Sequence, residues 1–329
     1  LLTDGTGQDG TGEITNVSKL QQYLANGALT NQFVRYSPGV GTRLGEKYGG
    51  GIFGAHAFSV IAGHYQWLGR IMNALGITNP AEFEISLFGF SRGAFISRIL
   101  TDMLNVCGVP TRSRISEKMV KFYENKDYYK ISRWRKDSPT DFITPSISFV
   151  GLWDTVATTM GINEADYESL PENVKAACHA VAINESRPKF NYLKLNLRDD
   201  VIEEFFAGCH SDVGGGYGED QVLSRITLNW MVSHARSHGV AFGKEPEEIL
   251  PGDYLLAQPH SEHKSESNGM GSLGVLVRYV DLERLNPSVR NLPWDVFASN
   301  GMPLWSEDLC KMVAQYNVNR DSGMPPNLA

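Results

Sequence analysis

The sequence predicts an α/β fold in which a mostly parallel central sheet carries helices on both faces. Apolar runs of strand length alternate with stretches of helical spacing along the chain. These runs are continuously apolar, which is typical of parallel strands buried on both faces. The chain has 329 residues, of which 42% are hydrophobic, so it can bury the core of one large domain. Chemistry in such a sheet lies at the carboxyl ends of the strands, so the residues just after each strand are the functional candidates.

The first third of the chain begins this alternation. Residues 1–3 resemble the end of a strand and lead into a loop rich in glycine, threonine and aspartate. The spacing of apolar residues predicts a helix over 16–26. A short strand is expected at 32–36, because Ser37-Pro38-Gly39 would end it. A long amphipathic helix follows over 52–75 and stops before Gly76.

The middle of the chain continues the alternation. Residues 84–90 form an apolar run typical of a buried strand, and helical spacing returns over 94–106. Two further apolar strands are predicted at 146–153 and 203–209. A helix over 223–238 ends at a glycine, which commonly terminates helices.

Two segments stand outside this rhythm. Residues 108–145 are polar and aromatic-rich, and we interpret them as a helical lid or cap insertion. Within them, 112–136 holds nine basic residues against three acidic ones, which suggests peripheral contact with an anionic membrane or, alternatively, a solvated helix. Binding to liposomes that persists unchanged at high salt would contradict the electrostatic interpretation. Residues 243–329 are expected to form a loop-rich C-terminal extension of the same domain.

Composition excludes several function classes. The net charge of −7 argues against a general nucleic-acid binder, which needs a basic surplus. The four cysteines lack the close pairing of a zinc site, so we expect free thiols and no metal. No apolar run reaches the ~20 residues of a membrane span and no signal peptide is visible, so we expect a soluble protein, either cytoplasmic or delivered to another compartment. The sequence gives no indication of oligomeric state.

One pentapeptide points to nucleophilic catalysis. Residues 89–93, Gly-Phe-Ser-Arg-Gly, fit the pattern G-x-S-x-G between a predicted strand and a predicted helix. A sharp turn of this kind leaves no room for side chains on either side of the serine and exposes its hydroxyl at a helix N-terminus. Ser91 is therefore the candidate nucleophile, and a merely tight turn is the alternative.

A serine hydroxyl needs a base and a group that orients the base. Asp154 and His210 each follow an apolar strand, and their chain order after Ser91 suits this architecture. Asp154 could instead cap a helix, His210 could be a structural loop histidine, and Asp4 or Asp212 could replace Asp154 as the acid. The competing imidazoles are His56, His64, His179, His234, His238, His260 and His263.

The oxyanion of an acyl transfer needs hydrogen-bond donors. The amide of Arg92 follows the nucleophile directly, and the amide of Gly5 or Thr6 lies in the loop after the first strand. Residues 5–10 also fit G-x-G-x-x-G, but the acidic residue that a dinucleotide site requires after the next strand is absent.

Seven stretches occur in the order seen in one family, and they are "DGTG", "YSPGVGT", "LFGFSRGAF", "FVGLWDTV", "HAVAINESRPKF", "FFAGCHSDVGGGY" and "LNWMVSHA". Over roughly residues 1–240 the chain thereby resembles the DUF2235 group, the Tle1-like phospholipase effectors of type VI secretion and their fungal and bacterial relatives. The resemblance implies an α/β-hydrolase-like catalytic domain that acts on ester bonds. It also implies that Ser91 is the nucleophile, Asp154 the acid and His210 the base.

Together these observations predict a serine ester hydrolase that acts on lipid or phospholipid esters through an acyl-enzyme, with no metal or organic cofactor. The alternative is a catalytically inert hydrolase scaffold that serves as a module for binding anionic membranes or proteins.

Overall fold

The structure is a computed structural model of the chain. It describes residues 1–5, 14–39, 50–157, 162–185, 187–218, 222–257, 259–260, 278 and 281–291.

The central sheet is parallel throughout its described length. The strands of the chain are β1 (Leu2–Thr3), β2 (Tyr36–Ser37), β3 (Glu84–Phe90), β4 (Val109–Pro110), β5 (Phe142–Ile143), β6 (Ser146–Trp153), β7 (Ala177–Ala182) and β8 (Val201–Phe206). Six of them form the sheet in the order β2-β1-β3-β6-β7-β8, while β4 and β5 pair as a small antiparallel ribbon. This order confirms the predicted α/β fold with a mostly parallel sheet.

Helices cover both faces of this sheet. They are α1 (Asn16–Tyr23), α2 (Gly50–Ala74), α3 (Arg92–Cys107), α4 (Ser113–Glu124), α5 (Tyr128–Asp137), α6 (His210–Gly214), α7 (Val222–Ser237) and α8 (Asp253–Leu256). The apolar core divides into two clusters, one shared by the sheet with α2, α3 and α4 and the other shared by the sheet with α1 and α7.

Alternation within the strands produces these two clusters. In β3, Leu87 packs in the cluster under α2 and α3, while Phe88 and Phe90 pack in the cluster under α1 and α7. In β6, Leu152 and Trp153 divide in the same way. Because successive side chains of a strand point to opposite faces, a strand buried on both faces must be apolar throughout. That requirement is the physical reason for the continuous apolar runs in the sequence.

The structure corrects the predicted elements in several places. The strand expected at 32–36 lies at Tyr36–Ser37, and the strand expected at 203–209 is Val201–Phe206. The insertion predicted to be helical at 108–145 contains two helices, α4 and α5, separated by Lys126, whose φ is +55°. Strand β7 was not predicted, because its alanines, cysteine and histidine carry little strand preference.

The segment 108–145 forms β4, α4, α5 and β5, and its main contacts hold it beside α2 and the later part of α3. The Tyr123 hydroxyl donates to Asp102 at 2.5 Å, and Arg135 donates to the carbonyls of Asn105 and Val106 at 3.1 and 2.7 Å. These partners lie three or more turns along α3 from Ser91, which precedes its first residue. The segment therefore packs on the α2–α3 layer, and its role as a lid or cap stays a prediction.

Within the described part of the chain, no helix combines the length and the apolar character that crossing a bilayer requires.

Candidate active site

Ser91 occupies a strained turn between β3 and α3. Its φ and ψ are +59° and −126°, a backbone conformation that residues other than glycine rarely adopt. The turn is held by hydrogen bonds from the Ser91 amide to the Trp153 carbonyl at 3.0 Å and from the Val156 amide to the Ser91 carbonyl at 3.3 Å. The strain is thus fixed by β6, the neighbouring strand, and the serine stands at the N-terminus of α3.

The two glycines of the pentapeptide are required by close backbone contacts. A Cβ atom on Gly89 would lie 2.5 Å from the Gly93 carbonyl oxygen. A Cβ atom on Gly93 would lie 2.3 Å from the Thr3 carbonyl oxygen and 2.4 Å from that of Asp4. Side chains at both positions would therefore push α3 away from the strand ends and move the serine.

We expect Gly93→Ala to lower the free energy of unfolding by about 3 kcal/mol, because the atoms in its way belong to the backbone and cannot rotate aside. Denaturant unfolding followed by circular dichroism measures this change. Gly252→Ala is the matched control, since a Cβ atom there meets nothing within 4 Å. Equal stability of the two variants would show that the contact between α3 and β1 is looser than the structure indicates.

Asp154 and His210 are directly bonded. The Nδ1–H group of His210 donates to Oδ2 of Asp154 at 2.6 Å, and both side chains are buried. Asp154 directly follows β6 and has a φ of +38°, while His210 is the first residue of α6 after β8. The residues after Asp154 begin no helix in the described part of the chain, so its carboxylate does not serve as a helix cap. The bond fixes the tautomer of His210 and leaves its Nε2 atom as the basic nitrogen.

Asp154 has a second partner that the sequence did not suggest. Arg278 donates from Nη1 to Oδ1 of Asp154 at 2.6 Å and from Nη2 to Oδ2 at 3.0 Å. The Ala182 amide also donates to Oδ1 at 3.0 Å. Burial alone would raise the pKa of Asp154, but the Arg278 charge and the His210 hydrogen bond outweigh burial and hold the pKa well below its usual value. Asp154 therefore remains ionised.

Aromatic rings enclose His210. Its ring centroid lies 4.6 Å from that of Phe90, the residue before Ser91, and 5.0 Å from that of Phe190. Burial lowers the pKa of His210, and the Asp154 carboxylate only partly offsets this effect. The imidazole is therefore held neutral near pH 7, the state that a general base needs.

A buried ion pair supports the loop that carries Phe190. Arg187 donates from Nε and Nη2 to the two oxygens of Glu185 at 2.9 and 2.8 Å. Oε2 of Glu185 also accepts a hydrogen bond from the His210 amide at 3.3 Å. The Arg187 guanidinium stacks on the Phe190 ring at 3.6 Å. These contacts join the loop after β7 to the first turn of α6.

The loop after β1 approaches the serine. A Cβ atom on Gly5 would lie 3.4 Å from Cβ of Ser91, so the candidate oxyanion loop is adjacent to the candidate nucleophile. The Gly5 amide, however, donates to Oδ1 of Asp4 at 2.7 Å. Thr6 lies outside the described residues. The Arg92 amide begins α3, where helix amides point outward from the N-terminus.

The two alternative acids have other partners. Asp4 accepts from the hydroxyls of Thr15 and Tyr36, each at 2.7 Å, and so holds the loop after β1 in place. Asp212 accepts from Nδ1 of His260 at 2.6 Å and from the Cys209 amide at 2.9 Å. Neither carboxylate is bonded to His210, and Asp154 is the acid that the fold brings to it.

A second buried histidine stands behind Asp154. The Thr155 amide donates to Nε2 of His179 at 3.0 Å, so Nδ1 of this ring carries the proton and donates to Glu203 at 2.8 Å. Burial lowers the pKa of His179. A neutral His179 thus accepts a hydrogen bond from the amide of Thr155, the residue directly after Asp154.

The structure therefore adds residues to the candidate site that the sequence patterns did not indicate. Glu185 and Arg187 lie within a stretch that carried the family resemblance, which was the available signal. His179 appeared only among the competing imidazoles. Arg278 lies within residues 243–329, where no local pattern distinguishes one arginine from another.

The family model described as "T6SS, Phospholipase effector Tle1-like, catalytic domain" matches residues 1–234. An uncharacterized protein of Saccharomyces cerevisiae is 28% identical over 226 aligned residues, which cover 59% of this chain and 32% of that protein. The chain thus spans about a third of the length of this curated relative.

Solved structures also resemble the chain. An uncharacterized protein from Pseudomonas aeruginosa matches with a TM-score of 0.50 and 19% identity, covering 77% of this chain and 47% of the other, and shows a similar fold. The Tle1 effector bound to the VgrG spike of the type 6 secretion system matches with a TM-score of 0.39 and 22% identity, covering 63% of this chain and 41% of the other. The family match extends over more than half of the chain and includes Ser91, Asp154 and His210. The chain therefore belongs to the family of type VI secretion phospholipase effectors of the Tle1-like kind, through their catalytic domain.

Proposed function

We propose that this protein is a serine ester hydrolase that cleaves lipid or phospholipid esters through an acyl-enzyme. The observation that carries the proposal is the 2.6 Å bond between His210 and Asp154, with the His210 ring 4.6 Å from the ring of Phe90, the residue directly before the strained turn at Ser91. Serine hydrolysis requires three groups: a hydroxyl held in a sharp turn, a neutral imidazole and an ionised carboxylate. Ser91, His210 and Asp154 supply them. Membership of a phospholipase family indicates lipid hydrolysis.

In the acylation step, Nε2 of His210 removes the proton from the Ser91 hydroxyl as the oxygen attacks the ester carbonyl carbon. The amide of Arg92 donates to the resulting oxyanion, and the N-terminus of α3 adds favourable electrostatics. The Gly5 amide can serve as second donor only if it gives up its bond to Asp4. When the intermediate collapses, the ester C–O bond breaks and His210 returns the proton to the leaving alcohol.

In the deacylation step, water is the attacking group and Ser91 is the leaving group. His210 removes a proton from a water molecule, the water oxygen attacks the acyl carbon, and the bond to Ser91 breaks as the hydroxyl regains its proton. Asp154 stabilises the imidazolium that forms in both steps. Arg278 keeps Asp154 ionised throughout.

A fluorophosphonate probe tests the proposal, because it forms a covalent bond only with an activated serine. We expect the probe to modify Ser91, identified by mass spectrometry of the labelled peptide. The labelling rate needs neutral His210. Since burial lowers its pKa, the rate should stay constant through neutral pH and fall only below the ordinary histidine value of 6.5.

Ser148→Ala is the matched control, because Ser148 is a buried serine on β6 that bonds to Ser86 at 2.8 Å. This variant should label like the wild type. An unmodified Ser91 in folded protein would contradict the proposal and favour the inert scaffold. A rate that falls already between pH 8 and 7 would contradict the assignment of His210 as the base.

The structure adds little support for the proposed membrane contact through 112–136. Several of its basic side chains already have acidic partners: Lys126 pairs with Asp166 at 3.2 Å and Lys130 with Asp127 at 2.7 Å. Arg135 is committed to backbone carbonyls of α3. Tyr129 is largely exposed. The membrane role of this segment stays a prediction.

A further inference from the structure

We infer that Arg278 is a positioning residue of the active site, through which the C-terminal segment holds Asp154 in the orientation that His210 requires. The inference rests on the proposed hydrolase function and names a fourth member of its catalytic apparatus. Arg278 lies outside residues 1–234, which match the family model, so the match itself does not include it.

The contacts of Arg278 are specific to its planar guanidinium. It binds both oxygens of Asp154, at 2.6 and 3.0 Å, in the bidentate geometry that arginine forms with a carboxylate. Nη1 also donates to the Ala182 carbonyl at 2.8 Å, and Nη2 donates to the Phe190 carbonyl. One side chain thus joins the end of β6, the end of β7 and the loop whose Phe190 ring contacts His210.

The ion pair between Arg278 and Asp154 is fully buried, so each charge depends on the other. The side chains of Arg278 and Asp154 are both 0% exposed, so neither charge can exchange its partner for water. Removing one member of a buried pair leaves the other charge uncompensated. Asp154 also lies in a strained backbone conformation, with φ at +38°, and such conformations persist only where surrounding contacts enforce them.

Two described residues that follow Arg278 are bonded to β8, the last strand of the sheet. Asn286 donates from its amide to the Phe205 carbonyl at 3.0 Å and from Nδ2 to Glu204 at 2.6 Å. Arg284 donates to Glu203 at 2.8 Å. The partners of these bonds lie in β8, the strand that precedes His210. The bonds hold Arg284 and Asn286, which follow Arg278 in the chain, against this strand.

Loss of Arg278 should move the acidic limit of activity in one direction. The charged and titratable groups that face Asp154 and His210 are Arg278, Arg187, Glu185, His179 and Tyr192. Without the guanidinium, the buried Asp154 loses its main stabilising charge, so its pKa rises. The carboxylate then attracts a proton on His210 more strongly, so the pKa of His210 rises as well. Both changes mean that activity is lost at a higher pH.

The experiment compares Arg278→Met, Arg278→Lys and Arg198→Met with the wild type, using a p-nitrophenyl ester at a series of pH values. Arg198 is the matched control, because it also binds one carboxylate, that of Asp200, and three backbone carbonyls, but far from Asp154. We expect Arg278→Met to lose about 10- to 100-fold in kcat/KM and to shift the acidic limb upward by about one pH unit. Arg198→Met should keep the pH profile of the wild type.

Arg278→Lys separates charge from geometry. A lysine supplies the charge without the planar fork, so we expect its acidic limb to lie near that of the wild type and its kcat to be reduced. If Arg278→Met does not fold, the fluorophosphonate labelling rate of Arg278→Lys against pH carries the test, and a wild-type rate would overturn the inference.

Each failure has its own signature. An unchanged pH profile in Arg278→Met, or increased activity, would overturn the positioning role while Ser91 remained essential. Failure of the hydrolase proposal would instead appear as retained activity in Ser91→Ala.

Discussion

Ser91→Ala is expected to lower kcat/KM for a short p-nitrophenyl ester by on the order of 10⁵-fold. The variant removes the one oxygen that the turn between β3 and α3 presents. The fold should persist, because the bonds that hold this turn come from the backbone of residue 91 and survive the change. Circular dichroism and the thermal midpoint verify that the protein is folded.

The natural assay for this variant is a panel of lipid and short-chain esters, with Ser148→Ala as the buried-serine control. Activity that Ser91→Ala retains in full on any ester cleaved by the wild type would show that another group performs the attack. Activity of the wild type on short esters but on none of the lipids would keep the serine mechanism and contradict the lipid substrate.

Asp154→Asn is expected to have the second-largest effect, a loss of about 10³- to 10⁴-fold in kcat/KM. The amide cannot compensate an imidazolium, and its NH₂ group would meet either the Nδ1–H of His210 or the guanidinium of Arg278. The Arg278 charge would also be left buried without a counter-ion. We therefore expect the free energy of unfolding to fall by about 3 kcal/mol.

Asp102→Asn serves as the control for this variant. Asp102 is a partly buried aspartate of α3 that accepts a hydrogen bond from Tyr123 and lies away from Ser91. Its asparagine variant should keep near-normal activity. An Asp154→Asn variant with wild-type turnover would exclude Asp154 as the orienting acid, and unchanged stability would show that Arg278 finds another partner.

Local patterns predicted the strands that carry the site. The bounds of β3 and β6 agree with the apolar runs 84–90 and 146–153, because these strands are buried on both faces and little else in the sequence is continuously apolar. The pentapeptide at 89–93 likewise predicted the turn at Ser91. Its two glycines are needed because the backbone approaches them too closely for any side chain to fit. Strand β7 escaped prediction because its burial, and not its residue preference, places it in the sheet.

By itself, the sequence determined the parallel α/β fold, the turn at Ser91 and the strand ends at which Asp154 and His210 would lie, because each leaves a local pattern: a continuous apolar run, a serine between two glycines, or a polar residue after an apolar run. Only the tertiary structure decided that Asp154, and not Asp4 or Asp212, is bonded to His210, since all three carboxylates lie near the same sheet edge. Only the tertiary structure brought Arg278 to Asp154, which precedes it by 124 residues. A buried charge is stabilised by whichever partner the folded chain delivers, and that partner leaves no pattern in the sequence around it.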